Sequence, residues 1–320
     1  MKDDAPALST QALPPPRGEV SQRRISAAIT FIVAAGSALL FCSKGVFVKS
    51  AYRLGADPVS LLAVRMIISL PIFLIAIWIT ERRAAVKMNP RTFCKLIGLG
   101  FLGYYLSSIV NFAGLQYISV GLERMVLYTY PTLVVIGSML FLKTQLKPIV
   151  IAAMFLTYAG IAIAWHGEAK ATASPSETVL GVGLVFLSAV TYATFMLMSG
   201  HMIRSIGGIR FTSYVVAISC GFVILHFVFT RSPADLLDVS TPILAHGAIL
   251  AVFGTALPSF LLGLGLARAG AQKFAIISTV GPVGTVVLAW LVLGESLNAS
   301  GIIGFAMTMA GGVAVTLMKE

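Results

Sequence analysis

Charge is the first thing this chain lacks. Only 11% of its 320 residues are Asp, Glu, Lys or Arg, against 58% hydrophobic, and mean hydropathy is +0.93. A soluble domain carries roughly a quarter of its residues charged, so that class is excluded. Cysteine is scarce too. Cys42, Cys94 and Cys220 lie far apart in or beside apolar runs, with neither metal-site spacing nor a disulfide frame; they read as small buried hydrophobes. The four histidines (His166, His201, His226, His246) are scattered and define no metal centre. No GxxxxGK[ST], HExxH or GxSxG stretch occurs, so nothing here cradles a nucleotide, holds a catalytic zinc or presents a serine nucleophile. The expectation is a non-enzyme without cofactor or metal, and ATP-driven work would need a separate subunit. Acidic residues are outnumbered 12 to 23, leaving net charge +11. The basic residues sit between apolar runs instead of along one face, which is topology and not a nucleic-acid footprint.

What the chain does have is long apolar runs. A spanning helix needs about 20 predominantly apolar residues, and ten such runs can be placed, near 25–48, 58–80, 93–116, 117–147, 148–165, 179–202, 211–230, 242–266, 271–293 and 299–317. The expected fold is therefore an all-α integral membrane protein with ten transmembrane helices. Residues 1–24 are polar, contain Pro14–Pro16 and lack a signal-peptide core, so they read as a disordered cytoplasmic tail. The polar connector 166–178 separates a five-helix unit at 25–165 from a second at 179–320. With the N-terminus inside, about 16 basic residues fall on the inner side and about 5 on the outer. Both termini are thus expected in the cytoplasm, in a multi-pass cell-membrane (plasma or inner membrane) protein.

The two units repeat each other. At a shift of 151 positions Pro131 returns as Pro282, Leu142 as Leu293 and Gly160 as Gly311. Ser37–Ala38 returns as Ser188–Ala189, Phe41 faces Tyr192, and Arg53 returns as Arg204. Five spans per unit is an odd number, so the second unit enters the membrane from the opposite side. That is an inverted-topology 5+5 repeat, a layout typical of secondary transporters.

The paired stretches Leu122–Leu142 (LERMVLYTYPTLVVIGSMLFL) and Ile277–Leu297 (ISTVGPVGTVVLAWLVLGESL), each followed by a glycine-dotted run, carry a resemblance. With the Leu293–Gly294–Glu295 ending, the chain resembles the EamA-type, ten-helix branch of the drug/metabolite transporter superfamily over roughly 25–317. The resemblance implies export or exchange of small metabolites, often amino acids, without ATP. It also implies a basket of helices around a central cavity, with the fifth and tenth peripheral. The first copy departs from the pattern, with Lys143–Thr144 where the second has Gly294–Glu295.

Charges inside apolar runs cost about 2.5–3.5 kcal/mol on insertion scales and mark candidate sites. Lys44 and Arg65 are such charges, and Glu123–Arg124 lies at similar depth, toward the outer side. Together they read as a vestibule where cations attract an anionic group while Glu123 pairs one of them; the alternative is snorkelling plus a structural bridge. Their repeat equivalents Phe195, Val216, Phe274 and Ala275 are uncharged, so the helical scaffold does not require the cluster. Tyr105, Asn111, Tyr128 and Tyr192 are further substrate-binding candidates, because polar groups at such depth need partners. Lys273, with Gln272, is placed at the inner mouth, and Pro131 and Pro282 are candidate hinges since each removes a backbone hydrogen bond.

The expected function is a secondary transporter, exporter or exchanger, moving a small anionic or zwitterionic metabolite by alternating access. Its partners would be that solute and the lipid bilayer, with no nucleic acid, and a homo-oligomer remains open. A channel, or an integral-membrane sensor or enzyme on the same scaffold, is the rival reading. An enzyme should show a catalytic pair at one depth, and a sensor an appended soluble domain; neither is evident.

Overall fold

The computed structural model describes residues 17–84, 87–142, 148–171, 174–262, 264–265, 268, 277 and 280–317. Among these residues there is no β-strand, and seven helices are long and apolar enough to cross a membrane. In chain order the helices are α1 (Arg17–Arg53), α2 (Pro58–Arg83), α3 (Pro90–Gly114), α4 (Val120–Leu127), α5 (Tyr130–Leu142) and α6 (Pro148–Ala171). The second half holds α7 (Pro175–Ile206), α8 (Gly208–Thr230), the short α9 (Ala234–Leu237), α10 (Thr241–Leu262), α11 (Val280–Leu293) and α12 (Ala299–Leu317).

Local chemistry sets several of the starts. Asp57 accepts from the Ser60 backbone N–H at 2.9 Å and is followed by Pro58, and Asn89 accepts from Arg91 N–H at 2.9 Å and is followed by Pro90. Each pairs a side-chain acceptor for the unsatisfied first-turn donors with a residue that needs no such donor. Ser119 caps α4 through Leu122 N–H at 3.1 Å.

Three expectations from sequence change. The helix expected from residue 25 already begins at Arg17, because the polar stretch through Arg24 continues the turn with good helix formers; the rest of the expected tail, 1–16, lies outside the described residues. The single span expected over 117–147 is two helices in its described part, with Tyr128 and Thr129 between them and Pro131 in the first turn of α5. Pro131 thus supplies the fixed φ of a helix start instead of interrupting a continuous helix. The polar connector is mostly helical, since α6 runs on through Ala171 and α7 starts at Pro175. Glu168 on that extension accepts from the Ser119 backbone N–H at 2.7 Å and hydroxyl at 2.5 Å, tying α6 to the head of α4.

The main helix pairings are α6 with α12, α2 with α8, α1 with α11, and α7 with both α3 and α5. Packing between the halves repeats itself at the 151-residue shift. Ser37 donates to the Pro258 carbonyl at 2.9 Å, and its counterpart Ser188 donates to the Ser107 carbonyl at 2.8 Å. Between α6 and α12, Gly160 lies against Gly304 and Thr308, and Gly311 lies against Ala153 and Thr157. A Cβ at Gly160 would reach the Gly304 carbonyl at 2.6 Å, so only glycine admits this approach. Even the irregularities match. A π-helical turn interrupts α3 at Phe101–Leu106, and another interrupts α10 at Val252–Ala256; such turns often mark functional places. Large apolar side chains on the outside, such as Phe155, Phe229 and Leu291, face away from the bundle, as contact with lipid tails requires.

Candidate functional site: a cation-rich cavity between the halves

A cavity of about 220 Å³ opens among eight helices: α1, α2, α3, α4, α5, α7, α10 and α11. Among the described residues, none of its lining comes from α6, α8 or α12. The π turns of α3 and α10 border it at equivalent points. Gly103 leaves room for the Phe195 ring, and Gly254 faces the stem of Lys44 at the equivalent place. Lys44 and Phe195 are themselves equivalents, so one pseudo-symmetric position holds a cation in one half and an aromatic ring in the other.

Lys44 and Arg65 converge on one ring. The Lys44 Nζ lies 5.8 Å and the Arg65 guanidinium carbon 5.5 Å from the centre of Phe112 on α3. Such contacts are worth about 0.5–2 kcal/mol each and offset part of the cost of burying the charges. Arg65 is 3% exposed; its Nε donates to Thr255 Oγ1 at 2.7 Å, while its Nη1 is buried with no hydrogen-bond partner. Among the described residues, no carboxylate comes within 4.0 Å of either cation.

Arg124 is different. On α4 its Nε and Nη2 donate to the adjacent Glu123 carboxylate at 2.5 and 2.8 Å. Glu123 is fully buried and also accepts from Asn111 Nδ2 at 2.7 Å. A carboxylate can only accept, so this bond fixes which way the Asn111 amide points. The amide oxygen Oδ1 is then left buried without a partner. Gly45 on α1 faces the pair: a Cβ there would lie in ordinary contact with Glu123 Oε2 at 3.4 Å and Arg124 Nη2 at 3.5 Å.

The remaining wall is aromatic. Tyr128 meets Tyr130 edge-on at 6.3 Å, Tyr130 meets Tyr192 at 5.3 Å, and Tyr192 leads to Phe195 and Tyr104. The structure therefore brings Lys44, Arg65, Asn111, Arg124, Tyr128, Tyr192 and Pro282 to one cavity, with Glu123 immediately behind it. Pro131 lies one residue past the lining residue Tyr130. Tyr105 is not in this group. Its hydroxyl is hydrogen-bonded to His226 Nδ1 at 2.6 Å and its ring packs on Phe101 and Phe222, on the side facing α8. The cavity takes Tyr104 instead, in line with Ser107, Ser108 and Asn111. Lys273 lies outside the described residues. Phe112 and Thr255 were not singled out from sequence, because nothing in an apolar run tells which ring or hydroxyl will face a charge on another helix.

Long apolar helices that turn hydrophobic side chains outward and enclose a polar, charged cavity define a multi-pass membrane protein. The comparisons give the family. The model of the EamA-like transporter family matches twice, over residues 28–165 and 179–317. The chain belongs to that family and is a membrane transporter. It is 30% identical over 298 residues to the uncharacterized transporter YcbK of Bacillus subtilis (strain 168), covering 89% of this chain and 92% of that one. The uncharacterized transporter YetK of the same organism is 27% identical over 262 residues, covering 80% of this chain and 77% of its own. A solved crystal structure, 18% identical, superposes with a TM-score of 0.61 over 89% of this chain and 94% of its own, a likeness of fold.

Proposed function

We propose that this chain is a secondary transporter that carries a small anionic or zwitterionic metabolite, as exporter or exchanger, by alternating access between two inverted five-helix halves. The observation that carries the reading is the pair of cations at the cavity, the buried Arg65 and the partly buried Lys44, neither of which has a carboxylate within 4.0 Å among the described residues. Leaving a charge unpaired in a low-dielectric place costs several kcal/mol, and a site that binds an anion offsets that cost when it is filled. The cavity is smaller than the roughly 300–1,000 Å³ of drug-sized pockets, which favours a small metabolite.

The two-half reading is supported by the paired family match and by the exchanged contacts: Ser37 with Pro258 and Ser188 with Ser107, and the matched π turns. In this reading both termini lie in the cytoplasm and the Glu123–Arg124 layer faces the outer side. Rocking of one half on the other would pass through the break at Tyr128–Thr129, with Pro131 in the first turn of α5 and its twin Pro282 in α11.

The test is flux of labelled anionic solutes into proteoliposomes by wild type, Lys44→Met and Arg65→Met. Each variant is expected to lose at least about tenfold in flux while keeping or gaining thermal stability, because removing one of two cations that have no carboxylate partner among the described residues relieves repulsion at the empty cavity. Undiminished flux in both variants would remove the anion site.

A further inference from the structure

We infer that the cargo of this cavity is a small dianion that also carries an O–H or N–H donor beside its charged groups, and that Asn111 Oδ1 receives that donor. The inference rests on the transporter reading above and narrows its substrate class.

Charge gives the first half. Among the described residues Lys44, Arg65 and Arg124 are the cations at the cavity, and Glu123 is bonded to Arg124 through two nitrogens. Two positive charges are left over among the described residues, and both lie against the same ring, Phe112. Like charges on one cavity repel each other, and a ligand of charge −2 bound there neutralises both. A monoanion leaves one cation uncompensated in a water-poor place.

Hydrogen bonding gives the second half. Among the described residues, two polar atoms on the cavity lining are buried without partners, and they are of opposite kinds: Arg65 Nη1 is a donor and Asn111 Oδ1 an acceptor. Asn111 is 1% exposed and Arg65 3%. The amide cannot turn to hide its oxygen, because Nδ2 is held by Glu123. Buried polar atoms are almost always satisfied, so the pair describes its missing partner: an anionic acceptor for Arg65 and Lys44, and a donor for Asn111. An anion without a donor would leave Oδ1 desolvated and facing negative charge. Shared chemistry of this kind is found in a hydroxy-dicarboxylate and in the phosphate monoester of a small polyol.

The experiment loads the full-length protein into proteoliposomes and measures competition against labelled L-malate, backed by thermal shift of the same preparation in detergent. Succinate keeps the two carboxylates and lacks the hydroxyl; L-lactate keeps the hydroxyl and has one carboxylate; glycerol 3-phosphate exchanges the carboxylates for a phosphate. Malate or glycerol 3-phosphate should compete at a concentration roughly tenfold or more below succinate and lactate, the factor expected for one buried acceptor left unmet. Asn111→Ala should erase the preference for malate over succinate. The ligand comparison uses the wild-type protein, so it stands even if that variant misfolds. Succinate equal to malate would overturn the donor, and lactate equal to malate would overturn the dianion. Transport of monoanions alone would overturn this inference and leave the anion transporter standing, whereas no flux of any anion, with stable Lys44→Met protein unchanged in behaviour, would overturn both.

Discussion

Glu123→Ala is the sharpest test of how dry the cavity wall is. Glu123 is fully buried and Arg124 is 7% exposed, and their two nitrogen–oxygen contacts of 2.5 and 2.8 Å are charge-assisted. Removing one partner of a buried ion pair costs about 3–5 kcal/mol, because the other charge stays behind without compensation. Here Arg124 would join Lys44 and Arg65 as a third unmatched cation on one cavity, and Asn111 Nδ2 would lose its acceptor, a further cost of about 1–3 kcal/mol. These losses share partners and do not add, so about 3–5 kcal/mol is the expected total. An exposed pair is worth about 0–1 kcal/mol. The assay is thermal unfolding of the purified protein, read as a midpoint drop on the order of 10 °C. Arg124→Ala and the double variant complete the cycle. Because the double variant removes both charges, it should be more stable than Glu123→Ala alone. A single-variant loss within about 1 kcal/mol, or a double variant equal to the sum of the singles, would refute a water-excluded pair.

Much of this site was legible in the sequence, for a reason rooted in solvation. A lysine or arginine inside an apolar run has nowhere favourable to go except a cavity, a partner or the membrane edge, so Lys44, Arg65 and Arg124 stand out without any structure. The repeat was legible as well, since a constant shift preserves the prolines, glycines and serines that packing needs. Faces were harder. Tyr104, Ser107, Ser108 and Asn111 recur at helical spacing and share one face, and Tyr105, about 100° round the helix, falls on the next. A periodicity check separates the two tyrosines; a simple list of polar residues in the run does not. The break at Tyr128–Thr129 was not legible, because proline at the start of a helix and proline in its middle look alike in an apolar run. Phe112 and Thr255 were hidden for a different reason. Their role is to face Arg65 from other helices, at sequence separations that no local pattern encodes.

Two further perturbations probe the frame around the cavity. The antiparallel pair α2 and α8 is tied at one end by Arg210 on Glu81, with Nε and Nη2 at 2.6 and 2.9 Å, and at the other by Arg231 on Asp57 at 2.9 Å. The first tie is more buried and bidentate, and Glu81 is also held by the Tyr214 hydroxyl at 3.0 Å, so Arg210→Ala should lower the unfolding midpoint clearly more than Arg231→Ala; equal effects would argue that neither end is sheltered. Beyond α11, burial pushes the Glu295 carboxyl above the usual glutamate range, outweighing the Val120 N–H that it accepts at 2.9 Å and the pull of Lys49. A carboxyl whose folded value is raised binds its proton more tightly when folded, so its contribution to stability is full below the unfolded value near 4.5 and is lost as pH rises through the folded one. Thermal midpoints measured from pH 4 to 8 should therefore fall less with rising pH in Glu295→Gln than in wild type. The variant keeps an oxygen for Val120 N–H, so this difference isolates the proton from the cap. Parallel curves for the two proteins would show that the Glu295 carboxylate is as well solvated at the head of α4 as it is in the unfolded chain.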